Sequence, residues 1–302
     1  MSTSSGGSRR AWHGVLVATP CFWREDGAPD LDQYAEHVGW LAASGCDGAT
    51  PNGSLGEYQL LRDEQRREVT KTALKAAPDG FCVIPGVGAY GARQSLRLAE
   101  WAAEDGAHAV MLLPPNAYRA TERDVMEHYR IVAQAGLPIV AYNNPIDTKV
   151  DLTPALLAKL HAEGLIVAVK EFTGDVRRFY QIAEAAPGLD VLAGSDDVVF
   201  ELAVAGSPGW IAGFPSAFPR ACVELFAAAR DHQVDRALEL YRILHPLLRW
   251  DSDPRFIQAI KLAMDVAGRN GGACQPPRGP LSPDEERTVR AAAEAALAAG
   301  LS

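Results

Sequence analysis

The sequence predicts an α/β fold: a closed (β/α)8 TIM barrel followed by a C-terminal helical extension. Three observations carry this expectation. Eight short apolar runs recur at 14–19, 48–51, 82–86, 109–113, 138–142, 166–170, 190–193 and 209–212. Most are apolar on both faces, the pattern of parallel strands covered by helices. The longer stretches between them have helical spacing and recognisable ends. In 30–44, Leu31, Tyr34, Val38 and Leu41 share one face and Gly45 follows as a stop. Thr153 and Pro154 supply a cap and a first-turn proline for the next clear example, which Gly164 closes. Unbroken alternation favours a closed barrel; a doubly wound open sheet is the alternative architecture.

After Phe218 the strand pattern stops. Helical segments are expected at about 219–230, 233–248 and 254–267. Ser282-Pro283-Asp284-Glu285 then has the form of a capping box and starts a last helix ending near Gly300. The expected organisation is a disordered tail at 1–11, the barrel at 12–218 and the helical extension at 219–302. The tail is Ser/Gly-rich with two arginines and runs into Ala11-Trp12-His13-Gly14 rather than an apolar stretch, so it does not read as a secretory signal.

The bulk numbers exclude several function classes. The chain has 302 residues, 48% hydrophobic and 22% charged, an ordinary globular balance with ample length for a large core. Its formal charge of -9 is diffuse and no long basic run appears, which argues against nucleic acid as a partner. No apolar run approaches the roughly 20 residues of a membrane span. The five cysteines (Cys21, Cys46, Cys82, Cys222, Cys274) are odd in number, scattered and without a CxxC pair. This argues against a disulfide framework or zinc knuckle and fits reduced thiols in a cytoplasmic protein.

In barrels of this kind chemistry sits at the C-terminal ends of the strands. The polar residues there are Ser54 and Glu57, Asn116 and Tyr118, Tyr142 with Asn143 and Asn144, Lys170 with Glu171, Ser195 with Asp196, and Ser216. Lys170 stands apart. The chain has six lysines against 23 arginines. Lys71, Lys75 and Lys159 fall on polar helix faces, Lys149 in a loop, and Lys261 in the C-terminal helices, where it can be exposed. Lys170 alone ends an apolar strand, Leu165-Ile166-Val167-Ala168-Val169-Lys170. Burial there favours the neutral amine, the nucleophile that attacks a carbonyl to form an imine. A structural lysine paired with Glu57 or Glu171 is an equal reading at this point. Gly53-Ser54-Leu55-Gly56-Glu57 offers backbone amides and a hydroxyl to a carboxylate, or is an ordinary Gly-rich turn. Tyr142 can shuttle protons beside a lysine-derived imine, or is a core tyrosine with a capped hydroxyl.

Taken together, Gly53-Ser54-Leu55-Gly56-Glu57, Tyr142-Asn143-Asn144-Pro145, Val169-Lys170-Glu171-Phe172-Thr173-Gly174 and Gly194-Ser195-Asp196-Asp197 resemble the dihydrodipicolinate synthase / N-acetylneuraminate lyase family of class I aldolases and dehydratases. The likeness runs from about Trp12 to the C-terminus. It implies Lys170 as the imine-forming lysine, Tyr142 as the proton-shuttling tyrosine that delivers a proton to the carbinolamine, and Ser54 as the hydroxyl that binds substrate carboxylate and relays to that tyrosine. It implies Ile211 as a residue lining the pocket through its carbonyl, and a protein often tetrameric that needs no metal; no cofactor is expected. The expected substrate contacts are Gly53, Ser54, Leu55, Asn144, Ile211 and Ser216, and the expected partner is a small 2-oxo acid or cyclic imino acid.

Three departures narrow the reaction. Dihydrodipicolinate synthases usually carry two threonines where this chain has Ser54 and Leu55. They carry an arginine where it has Asp147, and an acid repels the carboxylate an arginine would hold. They carry paired tyrosines after strand four, where this chain has Leu112-Leu113-Pro114-Pro115-Asn116-Ala117-Tyr118, so Tyr118 takes the relay only if that loop is shifted. Lysine biosynthesis is therefore disfavoured. Met111 to Tyr118, Tyr142-Asn143-Asn144-Pro145, Gly174-Asp175-Val176-Arg177-Arg178 and the segment from Gly209 to Pro219 together look closer to a subgroup of hydroxyproline breakdown. Its members convert 1-pyrroline-4-hydroxy-2-carboxylate to 2-oxoglutarate semialdehyde and ammonia. The rival readings are a pyruvate-dependent aldolase or sugar-acid dehydratase and, in another class, a barrel that binds a metabolite without catalysis.

Overall fold

The computed structural model describes residues 10–302; the expected disordered tail lies, but for its last two residues, outside the described residues. Eight parallel strands, β1 (Gly14–Ala18), β2 (Gly48–Thr50), β3 (Cys82–Val83), β4 (Val110–Leu112), β5 (Ile139–Asn143), β6 (Ala168–Glu171), β7 (Asp190–Ala193) and β8 (Gly209–Ala212), run in the order β3-β2-β1-β8-β7-β6-β5-β4. A parallel bridge between Gly86 and Met111 joins the two ends. Met111 N donates to Pro85 O and Val87 N to Met111 O, both at 2.9 Å. The result is the (β/α)8 barrel, not an open sheet. β3 is shorter than its apolar run of 82–86 because Pro85 has no N–H to give the ladder. Ile84 N and Gly86 N still donate to Ala49 O and Pro51 O, so the run keeps its place beside β2.

The helices are α1 (Leu31–Ala43), α2 (Asp63–Ala76), α3 (Ala92–Glu104), α4 (Glu122–Val132), α5 (Pro154–Ala162), α6 (Arg177–Ala185), α7 (Val199–Val204), α8 (Pro219–Arg230), α9 (Val234–Leu248), α10 (Phe256–Val266) and α11 (Pro283–Ala298). Their ends follow the local chemistry. Asp30 accepts from Gln33 N to cap α1, Thr153 from Leu156 N to cap α5, and Ser282 from Glu285 N to cap α11. α1 buries Tyr34, Val38 and Leu41 of the stripe its sequence marks out, and His37 besides, while Leu31 is only partly buried. No helix among the described residues is long and apolar enough to cross a membrane.

Alternation along the strands sorts the core into an outer layer under the helices and an inner filling. Leu16, Ala18, Ile84, Met111, Val140, Tyr142, Ala168, Leu192 and Ile211 pack together inside the barrel. Val169 packs outward with the helices. Lys170, between two outward neighbours and in register with Tyr142 and Leu192, therefore faces the barrel interior at its C-terminal end.

Candidate active site

β5 and β6 set the centre of the site. Register places Tyr142 beside Lys170. The Lys170 Nζ lies 4.4 Å from the centre of the Tyr142 ring and 5.5 Å from that of Phe172, and the two rings meet edge to face. Both Lys170 and Tyr142 are almost fully buried. Gly194 permits this packing: a Cβ there would stand 2.4 Å from Glu171 O and 3.0 Å from the Lys170 Cγ. No carboxylate among the described residues forms an ion pair with Lys170. The two carboxylates weighed as its partners are committed elsewhere. Glu57 accepts from Trp23 Nε1 at 2.5 Å and Gln275 N at 3.3 Å. Glu171, on the opposite strand face, accepts from Asn143 Nδ2 and Thr173 N. Burial therefore pushes the Lys170 amine below its ordinary range, opposed by the more distant Asp251 and Asp196.

A cavity of about 80 Å³ opens onto this lysine. Gly53, Ser54 and Leu55 from the Gly-rich loop line it with Tyr142, Asn144, Asp147 and Phe172. It is contiguous with an outer chamber of about 480 Å³; the two share Ser54, Asn144, Asp147, Pro254 and Phe256. Asn144 is the hinge of the polar rim. Its Nδ2 donates to the Tyr142 hydroxyl at 3.3 Å and to Asp147 at 2.9 Å, while its Oδ1 caps the short helical turn Pro145–Thr148. Asn143 faces the other way, binding Glu171 and Leu152 N. Burial holds the Tyr142 phenol well above its usual range, and Asp251 adds to that.

Not every expected residue arrives at the cavity. Tyr118 is 54% exposed and lines neither chamber. Residues 117–119 are exposed, and it is Asn116, not Tyr118, that reaches the second tyrosine of the cleft, Tyr58. Tyr58 lies one residue beyond the Gly-rich loop and shares a small void with Ser54 and Tyr142. Its place next to Glu57 was the available signal. Ile211 fills the barrel interior below the cavity, packed with Leu16 and Leu192, and is not among the cavity-lining residues. Ser216 is also absent from the lining; it is fully buried in the turn Phe214–Ser216, its Oγ without a partner.

The larger omission lies in the extension. The turn Arg249–Ser252 and the start of α10 bring Asp251, Asp253, Pro254 and Phe256 to the cavity, although no strand ends there. With Asp147 this makes three carboxyl groups around a single cation, Lys170. Asp196, expected near the site from its position after β7, is spent on the fold. It accepts from Trp210 Nε1 at 2.9 Å, Gly213 N at 3.1 Å and Phe214 N at 3.0 Å. Burial nonetheless raises its carboxyl to about 6.

Comparison with known proteins agrees with this fold. The dihydrodipicolinate synthetase family matches residues 11–296. The 4-hydroxy-tetrahydrodipicolinate synthase of Methanothrix thermoacetophila is 32% identical over 286 residues, covering 92% of this chain and 95% of the relative. A solved putative dihydrodipicolinate synthetase from Pseudomonas aeruginosa is 28% identical with a TM-score of 0.88, covering 94% of this chain and 99% of that one. YagE, a prophage protein of the dihydrodipicolinic acid synthase family from E. coli K12, was solved in complex with pyruvate. It is 27% identical with a TM-score of 0.85, covering 92% of this chain and 96% of that one. The chain belongs to the dihydrodipicolinate synthetase family and is, at that level, an enzyme of the class I Schiff-base lyases acting on small molecules.

Proposed function

We propose that Lys170 of this family member forms an imine with a small 2-oxo-acid-type substrate, and that the substrate is 1-pyrroline-4-hydroxy-2-carboxylate, converted to 2-oxoglutarate semialdehyde and ammonia. The observation that carries the substrate choice is the charge of the lining. In the inner cavity, three carboxyl groups and one lysine suit a ligand with a single carboxylate and a basic nitrogen better than a dicarboxylate, Arg66 and Arg278 lying out in the second chamber. Asp147, held at the rim by Asn144, stands where a second carboxylate would have to be neutralised.

The residues divide the work as follows. The neutral Lys170 amine attacks the ring C=N, and expulsion of the ring nitrogen as an amine opens the ring. The Lys170 iminium at C2 then draws electrons from C3. A water held by the Tyr142 hydroxyl takes the C3 proton and returns one to the 4-hydroxyl, which leaves as water with its bonding pair. Proton shifts carry the unsaturation to C5, whose imine hydrolyses to the aldehyde with loss of ammonia. Hydrolysis at C2 frees Lys170. Ser54 and the amides of 53–55 hold the carboxylate throughout. Tyr58 is the second hydroxyl within reach of the Ser54–Tyr142 relay, the place first given to Tyr118.

A second reading has its own support. The relative from Methanothrix is named for dihydrodipicolinate synthesis, and YagE holds pyruvate. On that reading the same imine is made from pyruvate and condensed with, or released from, an aldehyde. One screen separates the two: ammonia release from the hydroxypyrroline against pyruvate consumption or release with sugar acids, sialic acid and aspartate semialdehyde. Ammonia without pyruvate is expected; pyruvate turnover alone would replace the proposal. Borohydride with the active substrate should add mass to the Lys170 peptide, and Lys170→Ala should lose both adduct and turnover. We take the protein to be a cytoplasmic homotetramer, with 12–218 as the catalytic barrel and 219–302 as the extension that completes its pocket.

A further inference from the structure

The Gly-rich loop that lines the cavity is bracketed by two non-glycine residues in the left-handed region, Asn52 with φ 58° at its start and Glu57 with φ 48° at its end. Glycine occupies that region freely, and asparagine tolerates it through local hydrogen bonds; glutamate has no such ease. Asn52 is held locally. Its Nδ2 donates to Arg66 O at 2.9 Å and to Thr70 Oγ1 at 3.0 Å, both on α2. Glu57 is held at long range. Its backbone N–H closes the turn on Ser54 O at 3.0 Å. Its carboxylate, almost fully buried, accepts from Trp23 Nε1 at 2.5 Å in the segment after β1 and from Gln275 N at 3.3 Å in the 272–281 connection. Lys261 of α10 lies within electrostatic range of it. Gly56 beside it is packed against backbone: a Cβ there would stand 3.1 Å from Thr19 O and 3.3 Å from Gly53 O. The loop thus has little slack of its own, and Glu57 ties its end to the extension.

We propose that Glu57 is a positioning residue for substrate binding: it anchors the amides and hydroxyl of 53–55 where they meet the substrate carboxylate, and it takes that anchorage from the extension. This rests on the readings of Lys170 as the imine-forming lysine and of the loop as the holder of the carboxylate. Glu57 lines neither chamber and touches no reacting atom. Its effect passes through Ser54, to which its own N–H is joined. A carboxylate is held by several donors at once, and a misplacement of about 1 Å in such a set costs about 10²-fold. Lys170 and Tyr142 stand paired on β6 and β5, so a shift of the loop leaves the amine and the phenol in place.

Two observations separate this role from that of an ordinary turn residue. A turn alone is served best by glycine at a left-handed position, so a glutamate there is held by what its side chain binds. Both of its oxygens are engaged, by N–H donors 34 and 218 positions away in the chain, and these donors converge on the exit of the loop. The second observation is where the far donor belongs. The extension already supplies Asp251, Asp253, Pro254 and Phe256 to the cavity wall. Through Gln275 it also holds the end of the loop, so the extension sets two parts of the same cavity together.

The probes are pyruvate and hydroxyacetone, which has the same carbon skeleton and ketone but no carboxylate. The full-length protein is titrated with each under borohydride, and the adduct is read as added mass on the Lys170 peptide. Glu57→Gln keeps an oxygen for Trp23 Nε1 and loses the charge and the second acceptor. Its half-saturating pyruvate concentration should rise about 10-fold. Glu57→Gly, which removes both anchors while suiting the left-handed backbone, should raise it about 10²-fold, so that glutamine counts as partial rescue. The rate at saturation should stay within about 3-fold of the wild type's, and half-saturation by hydroxyacetone should not move. Trp23→Phe removes a single donor and should raise the pyruvate figure about 5-fold; it decides if circular dichroism shows that the Glu57 variants do not fold. An unmoved pyruvate half-saturation in the folded variants, a parallel rise for hydroxyacetone, or a loss confined to the saturating rate would overturn the inference alone. A wild type that takes hydroxyacetone as readily as pyruvate would overturn it together with the reading of the loop. Absence of any Lys170 adduct in the wild type would overturn it together with the reading of Lys170.

Discussion

Two lysines of this chain are almost equally buried, and they are opposites. Lys261 on α10 donates to Cys21 O and Ala273 O, each at 2.8 Å, and has Glu57 as its principal opposing charge. Lys170 lies over two aromatic rings with no carboxylate in ion-pair contact and a cavity in front of it. Burial pushes both amines downward. Burial alone therefore does not distinguish a nucleophile from a strut. The difference is whether the ammonium's hydrogen-bonding capacity has been met. A lysine held by two carbonyls ties parts of the fold together: here the segment after β1 and the 272–281 connection, with Glu57 acting on it only through its charge. A lysine left unmet at the floor of a cavity is available to a ligand.

The same substitution at both positions should separate these roles most sharply. Lys170→Met keeps the buried methylenes and removes the amine. Imine formation should fall by more than about 10⁴-fold, the loss expected when a covalent nucleophile is deleted. The melting transition should stay within about 1 kcal/mol or rise, because a poorly compensated buried amine has been taken out. Lys261→Met should do the reverse. It strands two carbonyls and removes the charge nearest Glu57, at a cost of about 3 kcal/mol in stability, yet leaves Lys170 able to trap pyruvate wherever the protein is folded. Denaturant unfolding and borohydride trapping on both variants make the test. Equal destabilisation by the two substitutions would erase the distinction.

Tyr142 sharpens the active side of the comparison. Tyr142→Phe keeps the ring against the Lys170 Nζ and removes only the hydroxyl bonded by Asn144. If the ring merely shelters the amine, the variant is near wild type. With a proton-transfer role for the hydroxyl, kcat should fall by about 10²- to 10³-fold while the borohydride adduct still forms. A change in KM with kcat untouched would assign the hydroxyl to binding instead.

How far this site was legible in the sequence depended on the distance over which each residue's partners lie. The barrel, the helix ends and the inward direction of Lys170 follow from period and caps, which are local. The Gly-rich loop, Tyr142 and Asn144 end apolar strands and could be read the same way. Asp251 could not, because nothing near Trp250-Asp251-Ser252-Asp253 marks it as more than a polar turn between helices. Its place at the cavity appears only when the extension folds back over the barrel mouth. Lys261 failed for the same reason: its carbonyl partners are Cys21, 240 positions away, and Ala273 across a loop. Tyr118 erred in the other direction. A tyrosine after strand four was placed by likeness, whereas the local chain turns it to solvent and leaves Tyr58 in the cleft.

His37 gives the smallest test and completes the contrast, as a buried base with neither partner nor cavity. Its Nε2 is buried on α1 without a hydrogen-bond acceptor, and its ring packs against Phe22 and Trp40. Burial first, then the charge of Arg269, lowers its pKa to about 3. Such a group can affect only stability. The unfolded chain protonates His37 near its ordinary value of about 6.5, whereas the folded chain does not until about pH 3, so stability is lost as pH falls between those limits. At pH 5 the loss from this one group is about 2 kcal/mol, from about 1.4 kcal/mol per pH unit. His128, lowered to about 4 by burial, adds a similar slope. His37→Phe should therefore remove about half of the histidine-linked destabilisation between pH 7 and pH 5, measured as the shift in urea midpoint, while trapping at Lys170 is unchanged at pH 7. If instead the slope persisted, His37 would have a partner in solution and would belong with Lys261 among the satisfied groups.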